Sequence, residues 1–430
     1  MNFTKLPFKI SYLFFLLAMV FQNSFSQTDW IKYADNPVFT MGEPGTWDSK
    51  IAGISSVIYT NGIYKAWYTG YDSQMVGKIG YATSPDGIVW SKYENNPVLV
   101  PGNEGEWDNS YIEMPSVLFI DGIYKMWYMG EDGHSNRIGY ATSTDGINWE
   151  KYSGNPVLDL GSQGEWDATE VMHPNVIFEG EIYHMWYNGN GQIYQNTGYA
   201  TSEDGISWTK YTGNPVLTVG EPGKWDDYMM LFRSVIYNDN EFKMWYSACD
   251  GTVDDLKYYR IGYATSPDGI NWNKYENNPV LNLGDSTAWD SGGVITSIVL
   301  LDTAENIYKM WYGGLGNGIG STGYATSSLI TSLDNDKNLI NSYKFNLKQN
   351  FPNPFNPVTT IEYRISEPGF VDLSIYNLLG EKVITLVSEI KNAGTHRFNW
   401  NAKELTSGIY FYRLTAGKNF MQAKKLILLK

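Results

Sequence analysis

Fifteen of the sixteen tryptophans fall into three columns of five: Trp30, Trp90, Trp149, Trp208 and Trp272; Trp47, Trp107, Trp166, Trp225 and Trp289; Trp67, Trp127, Trp186, Trp245 and Trp311. The chain is therefore a fivefold repeat with a period of about sixty residues. Its units read W-x-K-Y-x-x-N-P-V, then W-D, then a strand-like run ending K-M-W-Y, then G-Y-A-T-S-x-D-G. A unit this short cannot bury both apolar faces of its strands alone, so the units must stack, which predicts a propeller or a related array.

Each unit offers four strand candidates bounded by turn residues. In the second unit they are 112–120, 123–130, 137–143 and 149–158, with Asp121-Gly122 and Asp145-Gly146 at turns. Tyr124, Met126 and Tyr128 alternate with Lys125 and Trp127, so both faces carry large side chains, as a sheet between two neighbours requires. The first W-x-K-Y-x-x-N-P-V segment, 30–38, precedes every other blade strand, and the fifth unit stops at Ser327 without one. The reading is an all-β chain: a five-bladed β-propeller over 27–330, closed by its N-terminal strand.

The rest of the chain differs in composition. Residues 1–26 have a basic start (Lys5, Lys9), an apolar run over 10–21 and the ending Ser24-Phe25-Ser26, which reads as a secretory signal peptide; nothing later resembles a transmembrane helix. Cys249 is the only cysteine, so no intramolecular disulfide can form. The tail, 345–430, carries 11 basic and 6 acidic residues, whereas 27–344 carry 18 basic and 40 acidic, or −22. So acidic a surface repels nucleic acid and anionic lipid and favours neutral or cationic partners. The charge reversal and the polar stretch 331–344 mark a linker, and a monomer is expected.

The recurring S-x-D-G-x-x-W at 84–90, 143–149, 202–208 and 266–272 could be taken for calcium or sugar sites, but a short Asp beside Gly also satisfies amides in a tight turn. What repeats builds the ring, and asymmetric chemistry must come from positions where aligned units differ. The sixth residue after each W-D tryptophan is Gly53, Glu113, Met172, Leu231 or Ile295, and the seventh is Ile54, Met114, His173, Phe232 or Thr296. Glu113 and His173 stand out, with Glu170 at the fourth position and Arg233 at the eighth. If the strand after W-D is innermost, its start shares one face of the disc with the loops carrying Asp72, Glu131, Asp132, His134 and Asp250. Plainer readings stand beside this one: Glu113 and His173 could bond at strand starts near Pro115 and Pro174, Arg233 could pair with Asp227, and the loop acids could be solvated.

The order of W-D, inner strand, Y-K-M-W-Y, G-Y-A-T-S-x-D-G-x-x-W and N-P-V-L over 30–327 resembles the five-bladed propeller glycosidases, the arabinanase, invertase and levansucrase superfamily, and the related mannoside phosphorylases. The resemblance implies a secreted or surface protein acting on polysaccharide or oligosaccharide in the central funnel, with acidic residues at inner-strand starts. Glu113 would be the general acid and Glu170 the base or nucleophile, with Asp72 a further candidate from its loop. His173, Arg233, Asp132, His134 and Asp250 would contact substrate. No cofactor or catalytic metal is implied, though the axis leaves room for a structural ion. Hydrolysis asks for two carboxylates about 5–5.5 Å apart for retention or roughly 6.5–9.5 Å for inversion. The first blade departs from the family, offering Ala52-Gly53-Ile54-Ser55 where an essential Asp is typical. A non-catalytic carbohydrate-binding propeller and a structural scaffold are the competing readings.

The tail is similar to the C-terminal sorting domain of the type IX secretion system, through 347–357 (L-K-Q-N-F-P-N-P-F-N-P), Val371-Asp372-Leu373-Ser374-Ile375-Tyr376-Asn377 and Ser407-Gly408-Ile409-Tyr410. About seven short alternating strands there predict a small immunoglobulin-like sandwich. The resemblance implies export across the outer membrane of a Bacteroidetes-type bacterium, then release or surface attachment.

Overall fold

The computed structural model describes residues 28–191, 195–251, 258–316, 320–328, 345–365, 368–377, 382–392, 394–416 and 420–430. The expected signal peptide, 1–26, and linker, 331–344, lie outside them. One compact unit spans Phe25–Leu329, and a second contains Ile330–Lys430.

The first unit is a propeller of five four-stranded antiparallel sheets. Its inner strands are Ile51–Thr60, Tyr111–Ile120, Glu170–Glu179, Met229–Asn238 and Gly293–Asp302. Four blades are continuous in sequence. The fifth takes its outer strand from the chain start, where Ile31–Lys32 pairs with Ser321–Ser328, Ile31 facing Thr326.

Every repeated motif has a structural task. The W-D aspartate is buried and accepts a lysine from its own blade's outer strand: Lys92 to Asp48 at 2.6 Å, Lys151 to Asp108 at 2.7 Å, Lys210 to Asp167 at 2.7 Å, Lys274 to Asp226 at 2.6 Å, and Lys32 to Asp290 at 2.6 Å. The N-P-V asparagine clamps the outer strand to the third, as Asn96 Oδ1 accepts the Tyr81 N–H while its Nδ2 donates to the Tyr81 carbonyl. The K-M-W-Y tryptophan reaches the next blade's Asp-Gly turn: Trp67 Nε1 donates to the Gly146 carbonyl at 2.9 Å, and its ring meets Trp149 edge-on at 6.0 Å. In that turn Asp145 Oδ1 accepts two backbone N–H groups, from Ile147 and Asn148. Because the five K-M-W-Y tryptophans are fully buried, each blade interface carries an apolar anchor whose truncation costs about 3–5 kcal/mol.

Nearer the axis, the blades are stitched by hydrogen bonds the motifs do not announce. Val117 N donates to Ser56 Oγ, Val176 N to Ser116 Oγ, Val235 N to Asn175 Oδ1 and Val299 N to Ser234 Oγ. The equivalent residue in the fifth blade is Ile298, which has no acceptor, and there Ile54 N donates instead to Thr322 Oγ1 at 2.9 Å. The seam between the last and first blades is thus built differently from the other four.

The second unit pairs a three-stranded sheet (Phe345–Leu347, Val358–Ile365, Gly394–Asn401) with a four-stranded one (Lys382–Lys391, Gly369–Tyr376, Gly408–Ala416, Phe420–Leu428). Ile361 and Tyr363 of the first sheet pack with Leu373, Tyr412 and Leu414 of the second in one core, making a seven-stranded β-sandwich.

Candidate active site at the propeller mouth

All five inner strands slip register around the seventh position after the W-D tryptophan, within the sixth-to-eighth stretch. At the seventh, Met114, His173 and Thr296 hold φ values of 50°, 50° and 51°. A side chain in this left-handed region costs roughly 1–2 kcal/mol, offset here by new partners: Met114 N donates to Thr69 Oγ1 at 3.0 Å and Thr296 N to Ser247 Oγ at 3.1 Å, each on the preceding blade. The bulges carry all five seventh residues, and Gly53, Glu113 and Ile295 of the sixth, to the walls of two adjoining cavities.

The first cavity, about 430 Å³, opens on the first, second and fifth blades, and its walls include Gly53, Ile54, Tyr71, Glu113, Ile295 and Leu315. Glycine at the sixth position of the first blade creates the space, since Glu113 and Ile295 occupy that position on the two adjacent blades. Glu113 is the one charged side chain on these walls among the described residues. Tyr71 donates its hydroxyl hydrogen to Glu113 Oε2. Burial pushes Glu113 up to about 7, with the Tyr71 bond opposing it. Tyr71 itself is driven far above the usual tyrosine range by burial and by the Glu113 charge.

Tyr111 links this acid to the next. Its hydroxyl is raised first by burial and then by Glu113, Glu131 and Glu170, so three carboxylates surround it. Tyr111 donates to Asn136 Oδ1 at 3.2 Å, and Asn136 Nδ2 donates to Glu170 Oε1 at 3.2 Å. Asn190 Nδ2 holds the other oxygen of Glu170 at 2.9 Å, leaving that carboxylate purely an acceptor.

His173 and Arg233 lie apart from this pocket, on a channel of about 350 Å³ along the axis. Arg233, 5% exposed, donates to the His173 carbonyl at 3.1 Å, to the Leu231 carbonyl at 3.2 Å and to Asn188 Oδ1. Asn188 Oδ1 also lies 3.1 Å from His173 Nδ1, which assigns the ring proton to Nδ1. Burial and then the Arg233 charge press His173 down to about 3, and burial lowers Arg233 to about 9. The alternative pairing of Arg233 with Asp227 does not form: Asp227 accepts the Gly223 and Gly251 N–H groups.

The loop acids cap turns. Asp72 Oδ1 accepts Gln74 N and Val76 N, with Lys78 at 3.6 Å, and Asp132 does the same for His134 N and Ser135 N, with Arg137 at 3.1 Å. Burial would raise both carboxyls, but these donors outweigh it and lower them. Asp250 faces Arg260 at 3.8 Å, and the His134 side chain is exposed. None of these four lines the pocket.

Residues 55–155 match the family described as beta-1,4-mannooligosaccharide phosphorylase, and 349–429 match the secretion system C-terminal sorting domain. The chain is 28% identical over 238 residues to an uncharacterized protein of Mycobacterium tuberculosis, covering 53% of this chain and 74% of that one. It is 27% identical over 264 residues to the 1,2-beta-oligomannan phosphorylase of a Thermoanaerobacter species, covering 59% and 80%. A solved glycosyl hydrolase from Bacteroides ovatus shares the fold, with a TM-score of 0.58 at 20% identity over 70% of this chain and 94% of that one. The propeller has the five-bladed fold of the solved glycosyl hydrolase and is similar in sequence to the mannoside phosphorylases. Its tail is a type IX sorting domain, which directs this glycosidase-like protein to the cell surface or the medium.

The matched stretch of the glycosidase propeller carries Tyr71, Tyr111, Glu113 and Met114, one whole side of the pocket. Tyr71, Asn136 and Asn188 lie off the inner-strand starts, and Tyr111, though it begins one, does not stand out in a tyrosine-rich chain. One signal was available for Asn188: the residue after K-M-W-Y varies as Thr69, Met129, Asn188, Ser247 and Gly313, as irregular a column as the sixth position.

Proposed function

We propose that the propeller hydrolyses β-linked mannose-containing oligosaccharides at its mouth, working as a single chain with Glu113 as general acid and Glu170 as the acceptor carboxylate. The observation that carries this reading is the Glu113 carboxyl, pushed up to about 7 inside an apolar pocket and tethered by Tyr71. Such an acid still holds its proton near neutrality, which is what protonation of a leaving group requires. Glu113 gives that proton to the glycosidic oxygen as the C1–O bond breaks; a water molecule adds to C1 and its proton leaves toward a carboxylate. The substrate class follows the matched family and the Thermoanaerobacter relative, whose names both specify β-mannosides.

Both of those names also specify phosphorolysis, which needs a seat for phosphate. Among the described residues, no Lys, Arg or His lines the pocket, and Arg233 directs its terminal nitrogens to carbonyl groups and to Asn188. Hydrolysis is therefore the better fit. Incubation with β-1,2- and β-1,4-mannooligosaccharides, with and without phosphate, should release reducing ends at a phosphate-independent rate and no mannose 1-phosphate. Sugar binding without any product would instead support a carbohydrate-binding propeller, a reading favoured by the presence of a single carboxylate on the pocket wall among the described residues.

A further inference from the structure

The pocket beside Glu113 is poorly equipped to hold a sugar ring. A pyranose presents several hydroxyls that need partners, and buried polar groups left unpaired cost roughly 1–3 kcal/mol each. Here the hydroxyls are largely committed: Thr69 Oγ1 accepts Met114 N and shares a hydrogen bond with Ser55 Oγ, while Tyr71 is bound to Glu113. Ile51, Ile54, Met75, Ile295 and Leu315 supply most of the remaining wall. Polar partners lie outside the pocket's walls, where Asn136 and Asn190 meet Glu170.

This division places the proton donor at a boundary. Glu113 sits inside an apolar recess, and the hydroxyl-binding groups lie toward Glu170. We infer that the recess is the leaving-group subsite and that it takes an aromatic aglycone, so that the favoured substrates are aryl glycosides or sugars joined to a phenolic group. The inference rests on the glycoside-cleaving reading above. A dry apolar cavity of about 150 Å³ holds a benzene ring, so a pocket of about 430 Å³ accommodates a substituted ring together with its glycosidic oxygen. The rings of Tyr71 and Tyr111 stand 6.3 Å apart at 52°, leaving edges and faces for a third ring. The backbone of Gly53, beside which an added Cβ would meet nothing within 4 Å, forms a side-chain-free stretch of wall on which a flat group can lie. An anionic leaving group is disfavoured beside Glu113, with no cation on the walls among the described residues.

Gly53 makes the inference testable without substituting the acid. A Cβ added there meets nothing within 4 Å, and its φ is not among the left-handed ones, so the backbone accepts a side chain and Gly53→Leu directs it into the recess. Binding of phenyl β-D-mannoside, methyl β-D-mannoside and benzyl alcohol would be measured by calorimetry on the full chain, alongside cleavage of the two glycosides. The wild type should bind the phenyl glycoside on the order of tenfold more tightly than the methyl one, and should bind benzyl alcohol alone. Gly53→Leu should abolish both the phenyl preference and the binding of benzyl alcohol. Leu315→Asn, which makes the wall polar without filling it, should reduce the phenyl preference and serves if Gly53→Leu does not fold. Equal affinity for the two glycosides, or a phenyl preference that survives both substitutions, would overturn the inference even if mannosides are cleaved. Benzyl alcohol binding that depends on Gly53, with no glycoside cleaved, would uphold the aromatic site and defeat the hydrolase reading instead.

Discussion

Tyr71, the last residue of the first blade's second strand, donates its hydroxyl hydrogen to Glu113 on the inner strand of the second blade. The bond opposes the burial that pushes Glu113 up to about 7. Cleavage by the protonated acid should therefore fall as pH rises through about 7. Tyr71→Phe removes an interaction that favours the charged form, so the fall should move to higher pH. Glu113→Gln should lose roughly 10²–10⁴ in kcat. Profiles of kcat/KM against pH for the three proteins check this, and coincident alkaline limbs for wild type and Tyr71→Phe would refute the role of Tyr71.

The same carboxyl links stability to pH. Its folded-state pKa of about 7 exceeds the ordinary 4.5, so the folded chain binds the proton more tightly than the unfolded chain. The resulting stabilisation is fully present below about pH 4.5 and is lost as pH rises through about 7. Glutamine does not titrate. From pH 4.5 to 8, Glu113→Gln should gain about 1–3 kcal/mol relative to wild type in urea unfolding, and parallel stability curves would contradict the assignment.

Ring closure depends on Lys32, whose ammonium lies 2.6 Å from the buried carboxylate of Asp290. Lys32→Met leaves that charge with the Tyr312 hydroxyl at 3.3 Å. Because the lysine is itself about a quarter exposed, solvent screens part of the loss, and a destabilisation of about 1–3 kcal/mol is expected. Lys151→Met breaks the equivalent pair in an uninterrupted blade and should cost about the same. Only Lys32→Met should also speed proteolysis ahead of the first blade, which limited digestion followed by mass spectrometry would reveal.

The ring was legible because its determinants are local and repeated. Trp67 and Asp145 occur at fixed offsets in unit after unit, and even closure followed from a W-x-K-Y-x-x-N-P-V segment at one end matched by its lack at the other. The site was legible only in part. Glu113 showed as a charge in an apolar column, but Tyr71 and Tyr111 are tyrosines in a tyrosine-rich chain, and their pairing spans two blades. Arg233 showed as an outlier too, yet its partner is Asn188, 45 residues away, not the nearby Asp227. Gly53, read as a departure from the family's acidic pattern, is what opens the pocket: an absent side chain carries no sequence signal until its neighbours on the ring are known.

Asn188 offers the strictest test of the axial cluster. It is completely buried; its Oδ1 accepts from Arg233 and faces His173 Nδ1, and its Nδ2 donates to the Met230 carbonyl at 2.7 Å. Asn188→Ala removes the acceptor shared by a buried cation and a buried imidazole, and Arg233 already has one buried nitrogen, Nε, without a hydrogen-bond partner. An uncompensated buried charge costs about 3–5 kcal/mol, and a loss of that size is expected in the denaturant midpoint. Asn188→Asp keeps the acceptor and adds a negative charge beside Arg233, so it should recover most of the stability. It should also raise the His173 pKa, which burial and Arg233 now hold down at about 3, and the shift is readable by NMR titration of the imidazole. A loss below about 1 kcal/mol for Asn188→Ala would mean that the carbonyls of His173 and Leu231 alone satisfy Arg233, and the cluster would then reduce to packing.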